Sequence, residues 1–128
     1  SKEYIAKAHR LRKMAGGGWR QAGFMAAAAT YALDHHVLRM AEDHQLMQHL
    51  AQGLSGIPGL QFETPETNIL FIDLVGESKD KGPALQKHLK QAGIDITGFY
   101  RLRLVTHLDV DRAGVDRTIA TVRQFFNA

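Results

Sequence analysis

The sequence predicts a small α/β domain with a single sheet, in which two long helices precede strands interleaved with two shorter helices. Apolar side chains in residues 2–14 recur at steps of three and four, which is the period of one helix face. Residues 68–74 form a nearly continuous apolar run, as expected of a buried strand. Residues 100–106 alternate between apolar and polar side chains, which indicates a strand with one face toward a core.

The second helical region is predicted to begin near Arg20 or Gln21 and to continue to Leu54. Its first half is rich in alanine and almost uncharged, so we expect it to be buried on all sides against other elements. Its second half is amphipathic. The composition changes at residues 34–36, and we expect this long helix to bend there.

Shorter elements fill the second half of the chain. Residues 60–62 predict a short strand, and Pro83 suits the first turn of a helix that ends at Gly93. Ile94 and Ile96 alternate with polar residues and predict a half-buried strand.

The last predicted helix follows two aspartates, either of which could cap it. Asp109 and Asp111 are both suitable acceptors for N–H groups of the first helical turn. The apolar positions that follow recur with helical spacing, and they are Val115, Ile119, Val122, Phe125 and Phe126.

The composition excludes several classes of protein. The chain has 128 residues with no cysteine, which suits a reducing compartment, and we expect a cytoplasmic location. The net charge of +3 is mild and the basic residues are scattered, so nucleic acid is a poor candidate partner. No apolar run approaches the ~20 residues that span a bilayer, so no membrane partner is expected. The start of the chain lacks the features of a signal peptide and does not begin with methionine, so we expect a fragment of a longer protein.

Three successive glycines, residues 16–18, interrupt helical sequence between Lys13 and Arg20. One interpretation is a flexible hinge or a simple helix end. The other is an anion site, because glycines let the backbone approach a ligand and a new helix offers unpaired N–H groups with a positive dipole end. Lys13 and Arg20 could then add charge-assisted contacts to a phosphate. The pattern is neither a P-loop nor a GxGxxG fingerprint.

Arg103 lies in the alternating strand, on the face away from Leu102 and Leu104. It could be a solvated arginine, or a guanidinium fork held by rigid backbone and directed at a carboxylate. Arg101 shares this face, and the periodicity cannot choose between the two.

Groups that would carry out a reaction are missing. The seven histidines include no HExxH motif and no helical pair with a third ligand, so no metal site is predicted. The serines Ser1, Ser55 and Ser78 lie in terminal or turn contexts, without a GxSxG motif. The chain thus has groups that could bind a phosphate and a carboxylate, but no obvious catalytic group.

Four stretches together resemble one known family. KMAGGGWRQAG, YALDHHVLRMAEDH, ETNILFIDL and RLVTHLDVDR occur in the same order as in the carboxyl-terminal part of the bacterial low-specificity L-threonine aldolases. These enzymes use pyridoxal 5'-phosphate and have the aspartate aminotransferase fold, fold type I. The resemblance implies cleavage of L-threonine or L-allo-threonine to glycine and acetaldehyde.

The resemblance also implies a domain organisation. Residues 1–34 would be helices that continue from a large cofactor-binding domain. Residues 35–128 would form the small carboxyl-terminal domain, with a short, mainly antiparallel sheet packed by helices. The chain would correspond to a little over the last third of such an enzyme, with the missing amino-terminal part as a partner. The family assembles as dimers or tetramers, so a homo-oligomer is expected.

The family's Schiff-base lysine stands in a Ser-Lys-Gly-Leu context, which this chain lacks. Its two Ser-Lys pairs, at Ser1 and Ser78, continue differently. The resemblance therefore implies that no catalytic residue lies in this chain and that the chain alone is inactive.

The resemblance also implies binding roles for residues of this chain that match the family's motifs by position. Arg103 resembles the arginine that binds the α-carboxylate of the amino-acid substrate. Arg20 resembles a residue that reaches the cofactor phosphate of a neighbouring subunit. The residues that accompany it in this role are Lys13, Gly17 and Gly18. One departure is Trp19, where many relatives have methionine.

Two alternative functions stay open at this point. The chain could be part of another fold type I lyase or aminotransferase, since the fold is shared more widely than the reaction. It could also be a non-catalytic interaction module.

Overall fold

A computed structural model describes residues 1–98 and 100–127. The chain divides into two compact units between Val37 and Leu38. The helices of the described residues are α1 (Lys2–Met14), α2 (Gly23–His35), α3 (Met40–Leu54), α4 (Gly82–Gln91) and α5 (Arg112–Asn127). The strands are β1 (Leu60–Gln61), β2 (Ile69–Leu74) and β3 (Arg101–Val105).

Helix α1 has the bounds that its periodicity predicts. Ser1 caps it, because its Oγ accepts a hydrogen bond from the N–H of Tyr4 at 3.2 Å. The helix ends at the glycines, where Gly16 has a φ of 87°, a conformation that favours glycine. The predicted helix and its end are confirmed.

The predicted long second helix is interrupted where its composition changes. Helix α2 ends at His35, and the chain makes turns over residues 36–39 before α3 begins at Met40. The expected bend at residues 34–36 is therefore a complete break. Helix α2 begins at Gly23, after a turn over residues 20–22 and later than the predicted start near Arg20 or Gln21, whereas α3 ends at Leu54 as predicted.

The expectation that the alanine-rich half is buried on all sides is wrong for this structure. No residue of α2 is buried, and Phe24 and Leu33 are 81% and 70% exposed. Helix α1 likewise has no buried residue. The physical reason is that the first unit consists of these two helices and their connections and has no core of its own, so their apolar side chains lie at its surface.

The sheet of the second unit has the strand order β1-β2-β3, and both pairings are antiparallel. Leu70 lies opposite Leu104, and Ile72 lies opposite Leu102. All four of these side chains are buried. The alternation in β3 thus predicted both the strand and its inner face correctly.

The core lies between this inner face and helices α3, α4 and α5. The helices contribute apolar residues at helical spacing, which are buried together with the sheet: Met47, Leu50, Ala51, Leu54, Leu85, Leu89, Val115 and Val122. Gly53 lets α3 and α5 approach closely, because a Cβ there would collide with the side chain of Ile119. The side chains on the outer face of β2 and β3 are exposed or partly exposed.

The predicted strand at Ile94 and Ile96 is absent among the described residues. Gly93, with a φ of 74°, ends α4, and the N–H of Ile94 donates to the carbonyl of Leu89 at 2.9 Å. The two isoleucines are partly buried against the core. The described part of this segment pairs with β3 through one isolated bridge, between Thr97 and Arg103. The alternation here reflects half-burial of a loop, which has the same period as a strand.

Asp111, rather than Asp109, caps α5. Its Oδ1 accepts a hydrogen bond from the N–H of Gly114 at 2.7 Å. The next turn of α5 is tied to α3 by His49, whose Nε2 lies 2.5 Å from Oδ1 of Asp116. Arg112 approaches the same carboxylate at 3.6 Å. The hydrogen bond from His49, followed by the charge of Arg112, lowers the pKa of Asp116 below its ordinary value of 3.8, against an opposing effect of burial.

We expect Asp116→Asn to lower the melting temperature at neutral pH, but not at strongly acidic pH. A lowered folded-state pKa means that the unfolded chain binds the proton more readily, so the carboxylate stabilises the fold well above pH 3.8. This stabilisation is lost as the pH falls through the folded-state pKa. Thermal unfolding followed by circular dichroism between neutral and acidic pH measures the difference. Asp80→Asn, at an exposed position, is the control, and an equal loss at every pH would contradict the expectation.

Candidate functional site

The glycine segment folds back on the end of α1. The N–H of Gly17 donates to the carbonyl of Arg12 at 2.8 Å. A Cβ on Gly17 would lie 2.6 Å from Cγ of Arg12, so this turn needs a residue without a side chain. The backbone of the segment is exposed at Gly17. The segment thus forms a hydrogen-bonded turn, with main-chain groups accessible beside basic side chains.

Lys13 and Gly18 are brought together by this turn. A Cβ on Gly18 would lie 3.2 Å from Cδ and 3.3 Å from Nζ of Lys13, so the ammonium group lies over the Gly18 backbone. Arg20 follows in the same connection and is exposed. Among the described residues, neither Lys13 nor Arg20 forms an ion pair.

Helix α2 begins just after these basic residues, at Gly23. Its N-cap residue is Ala22, which has no side-chain oxygen, so no side chain caps the first N–H groups. An uncapped helix start has a partial positive charge. The turn and the helix start therefore have the chemistry that a phosphate dianion requires: exposed ammonium and guanidinium groups, small residues and unpaired main-chain donors.

Arg103 lies in the second unit, at the centre of β3 on the outer face of the sheet. It is exposed and stands directly opposite Phe71 of β2. No ion pair of Arg103 occurs among residues 1–98 and 100–127. Its guanidinium is therefore available to an external carboxylate.

Arg101 occupies the same face but is already engaged. Its Nε lies 3.6 Å from Oδ1 of Asp73, the residue opposite it in the sheet. Its guanidinium carbon lies 4.9 Å from the centre of the Phe71 ring, within the range of a cation–π contact. The two arginines that the periodicity could not distinguish thus have different surroundings.

A hydrogen-bond network holds the far end of β3. The side-chain Nδ2 of Asn68 donates to the carbonyl of Thr106 at 2.8 Å, and the main-chain carbonyl of Asn68 accepts from the Thr106 N–H at 3.0 Å. The buried Thr106 hydroxyl donates to the carbonyl of Asp43 at 2.7 Å. Arg39 in turn binds Asp43 through two hydrogen bonds, at 2.6 and 3.1 Å. The backbone that carries Arg103 is therefore tied to both β2 and α3, which gives its side chain a rigid base.

Sequence reasoning missed Phe71 and Asp73. Both belong to the apolar run of residues 68–74, which was interpreted as a buried strand. In the structure every second side chain of β2 faces outward, and Phe71 is 43% exposed. The available signal was the single charge within that run, since an aspartate in a wholly buried strand would need a partner.

Two further observations concern metals and membranes. The described residues contain no group of three or more His, Cys, Asp or Glu side chains that could hold a metal ion. No helix in the described part of the chain is long and apolar enough to cross a membrane.

The family of the chain follows from comparison with known proteins. The sequence pattern of the beta-eliminating lyases matches residues 1–77, which is more than half of the chain. This chain belongs to the beta-eliminating lyase family. It is 40% identical over 125 residues to the low specificity L-threonine aldolase of Escherichia coli strain K12. That match covers 98% of this chain and 36% of the relative.

A plant relative gives a similar match. The chain is 33% identical over 132 residues to the probable low-specificity L-threonine aldolase 2 of Arabidopsis thaliana, which covers 100% of this chain and 37% of the relative. The resemblance to threonine aldolases is thus confirmed over nearly the whole length of this lyase-family chain. The chain spans a little over one third of the length of these curated relatives.

Solved structures establish the fold. The cystine C-S lyase C-DES superposes with a TM-score of 0.60 at 16% identity, covering 79% of this chain and 28% of C-DES. The serine palmitoyltransferase of Sphingomonas wittichii gives a TM-score of 0.62 at 20% identity, covering 77% of this chain and 27% of that enzyme. The predicted fold, an α/β carboxyl-terminal part of a fold type I enzyme, is confirmed.

The cofactor expected from the resemblance is supported as well. One C-DES variant was solved with glycine covalently linked to its pyridoxal-phosphate cofactor. Together with the beta-eliminating lyase family and the threonine aldolase relatives, this supports pyridoxal 5'-phosphate as the cofactor.

Proposed function

We propose that this lyase-family chain is the carboxyl-terminal part of a threonine aldolase that cleaves L-threonine or L-allo-threonine to glycine and acetaldehyde. The sequence identity to enzymes of that name, which extends over nearly the whole chain, supports the reaction. The observation that carries the proposal is the state of Arg103. Its guanidinium is exposed and forms no ion pair among the described residues, whereas the neighbouring Arg101 forms one with Asp73. The strand that carries Arg103 is held by hydrogen bonds to β2 and α3.

The role proposed for Arg103 is to bind and orient the α-carboxylate of the amino acid. A guanidinium presents parallel N–H donors that match the two oxygens of a carboxylate, so two hydrogen bonds fix the orientation as well as the position. Pyridoxal phosphate, when bound, supplies an electron sink for the bond that breaks at Cα. The carboxylate anchor then decides which Cα bond is aligned for cleavage, and in a retro-aldol reaction this must be Cα–Cβ.

The phosphate of the cofactor is the proposed ligand of the glycine turn. Lys13 and Arg20 would supply charge, while Gly17 and Gly18 leave room for the anion to approach the main chain. We propose that this phosphate belongs to the site of a neighbouring subunit in a dimer or tetramer. The exposed apolar residues of α2, including Phe24 and Leu33, favour such an assembly, because a soluble protein rarely leaves this much apolar surface uncovered.

The reactive amine in this proposal lies outside the chain. The lysine that binds the cofactor covalently would precede these residues in the whole enzyme, and the chain would contribute binding groups and no catalytic residue. The whole enzyme would be cytoplasmic and act on a free amino acid.

The direct test is cleavage of threonine by the whole enzyme that contains this chain. We expect release of equal amounts of acetaldehyde and glycine from L-threonine and L-allo-threonine in the presence of pyridoxal phosphate. A coupled alcohol dehydrogenase assay measures the acetaldehyde. If the enzyme instead transfers the amino group, or eliminates across Cα and Cβ without releasing acetaldehyde, the proposed reaction is wrong.

Arg103→Ala should raise the KM for threonine by about 10- to 100-fold, because a charge-assisted bidentate contact contributes about 1.5–3 kcal/mol. The absorbance of the bound cofactor should stay as in the unchanged enzyme. Steady-state kinetics and a visible spectrum measure the two quantities. Arg101→Ala is the matched control from the same face, with an expected change in KM below about threefold. An unchanged KM in Arg103→Ala would rule out the carboxylate role.

Arg20→Ala should weaken binding of pyridoxal phosphate by about tenfold, since it removes one charged contact to the phosphate. Titration of the apoenzyme with the cofactor, followed by absorbance, gives the Kd. Arg10→Ala removes the same charge from the exposed surface of α1 and serves as the control. Equal affinity in both variants would contradict the assignment of the glycine turn.

A further inference from the structure

We propose that Asp73 is a specificity-determining residue that keeps Arg101 out of substrate binding and so restricts the site to amino acids with one carboxylate. This inference rests on the proposed carboxylate role of Arg103. Asp73 would act through Arg101 rather than by touching the substrate.

The register of the sheet assembles the groups involved. Asp73 lies opposite Arg101, and Phe71 lies opposite Arg103, so all four side chains emerge from the outer face of the β2–β3 pair. Arg101 approaches Asp73 at 3.6 Å and the Phe71 ring at 4.9 Å. Asp73 therefore draws the Arg101 guanidinium across the sheet, where Phe71 supports it.

The balance of charges on this face leaves the Arg103 guanidinium without a carboxylate partner among the described residues. Asp73 offsets the charge of Arg101, while Arg103 is not offset by any ion pair of the described residues. Without Asp73, two unpaired guanidinium groups would repel each other and attract anions together. The face would then favour a ligand with two carboxylates over a ligand with one.

The spacing of the two arginines allows such a ligand to bind. Residues two apart on one strand lie about 7 Å apart and point to the same face. Both side chains are long and flexible, so their tips can meet the two carboxylates of a four-carbon diacid. Asp73 competes with the second carboxylate of such a ligand for Arg101. In the unchanged protein the pairing of β2 with β3 holds Asp73 opposite Arg101.

The expected effect is modest, because the pair is exposed to solvent. The Arg101 and Asp73 side chains are 63% and 48% exposed, respectively, and exposed ion pairs are weak. If the pair of Arg101 and Asp73 had no role in binding, its removal would leave ligand selectivity unchanged.

The experiment uses succinate as a competitive inhibitor of threonine cleavage by the whole enzyme. In Asp73→Asn we expect the inhibition constant of succinate to fall by about fivefold, with the KM for threonine changed by less than about twofold. Asp73→Glu keeps the charge and should behave as the unchanged enzyme. The double variant Asp73→Asn with Arg101→Ala should lose the gain in succinate binding, because the freed guanidinium is gone.

Two results would overturn the inference. One is that Asp73→Asn leaves the inhibition constant of succinate unchanged, or that succinate does not inhibit this variant. The other is an equal gain with and without Arg101, which would indicate a general effect of net charge. Arg103→Ala separates this inference from the proposed function. If that variant raises the KM for threonine while Asp73→Asn leaves succinate binding unchanged, only the selectivity role of Asp73 fails. If the KM stays unchanged in Arg103→Ala, both fail.

Discussion

The antiparallel pairing of β2 with β3 is the constraint on which the second unit depends. Its register places Leu70 and Ile72 opposite leucines of β3 on the core side. The same register places Phe71 and Asp73 opposite the two arginines on the outer side. Because side chains alternate along a strand, a slip of one residue would expose the leucines and bury the arginines. The core and the candidate carboxylate site are therefore two consequences of one set of hydrogen bonds.

The first unit follows a different physical logic. The glycines let the chain turn sharply after α1, and this turn brings the Lys13 ammonium over Gly18, just before a helix start without a capping side chain. No buried core accompanies this arrangement, since α1 and α2 have no buried residues. Charged groups and apolar side chains thus share an exposed surface, as the proposed phosphate contact and the proposed subunit assembly both require.

Most of the elements could be predicted from local pattern. The bounds of α1, the two halves of the second helical region, and strands β2 and β3 follow from periodicity and from glycine and proline positions. The strand predicted at Ile94 and Ile96 was wrong, because a half-buried loop shows the same alternation as a strand. The predicted burial of α2 was wrong as well. Composition indicates that a helix needs a covering surface, but not whether the surface lies within the chain.

The sequence by itself determined the fold class, the family resemblance and the residue types available for binding phosphate and carboxylate. The tertiary structure shows that Arg101 and Arg103 have different surroundings, although they occupy equivalent positions in the alternation of β3. The distinction comes from Asp73 and Phe71, which are distant in sequence and become neighbours of Arg101 through strand pairing. Periodicity reports which face a side chain occupies, whereas the charge and ring that it meets there depend on register across the sheet.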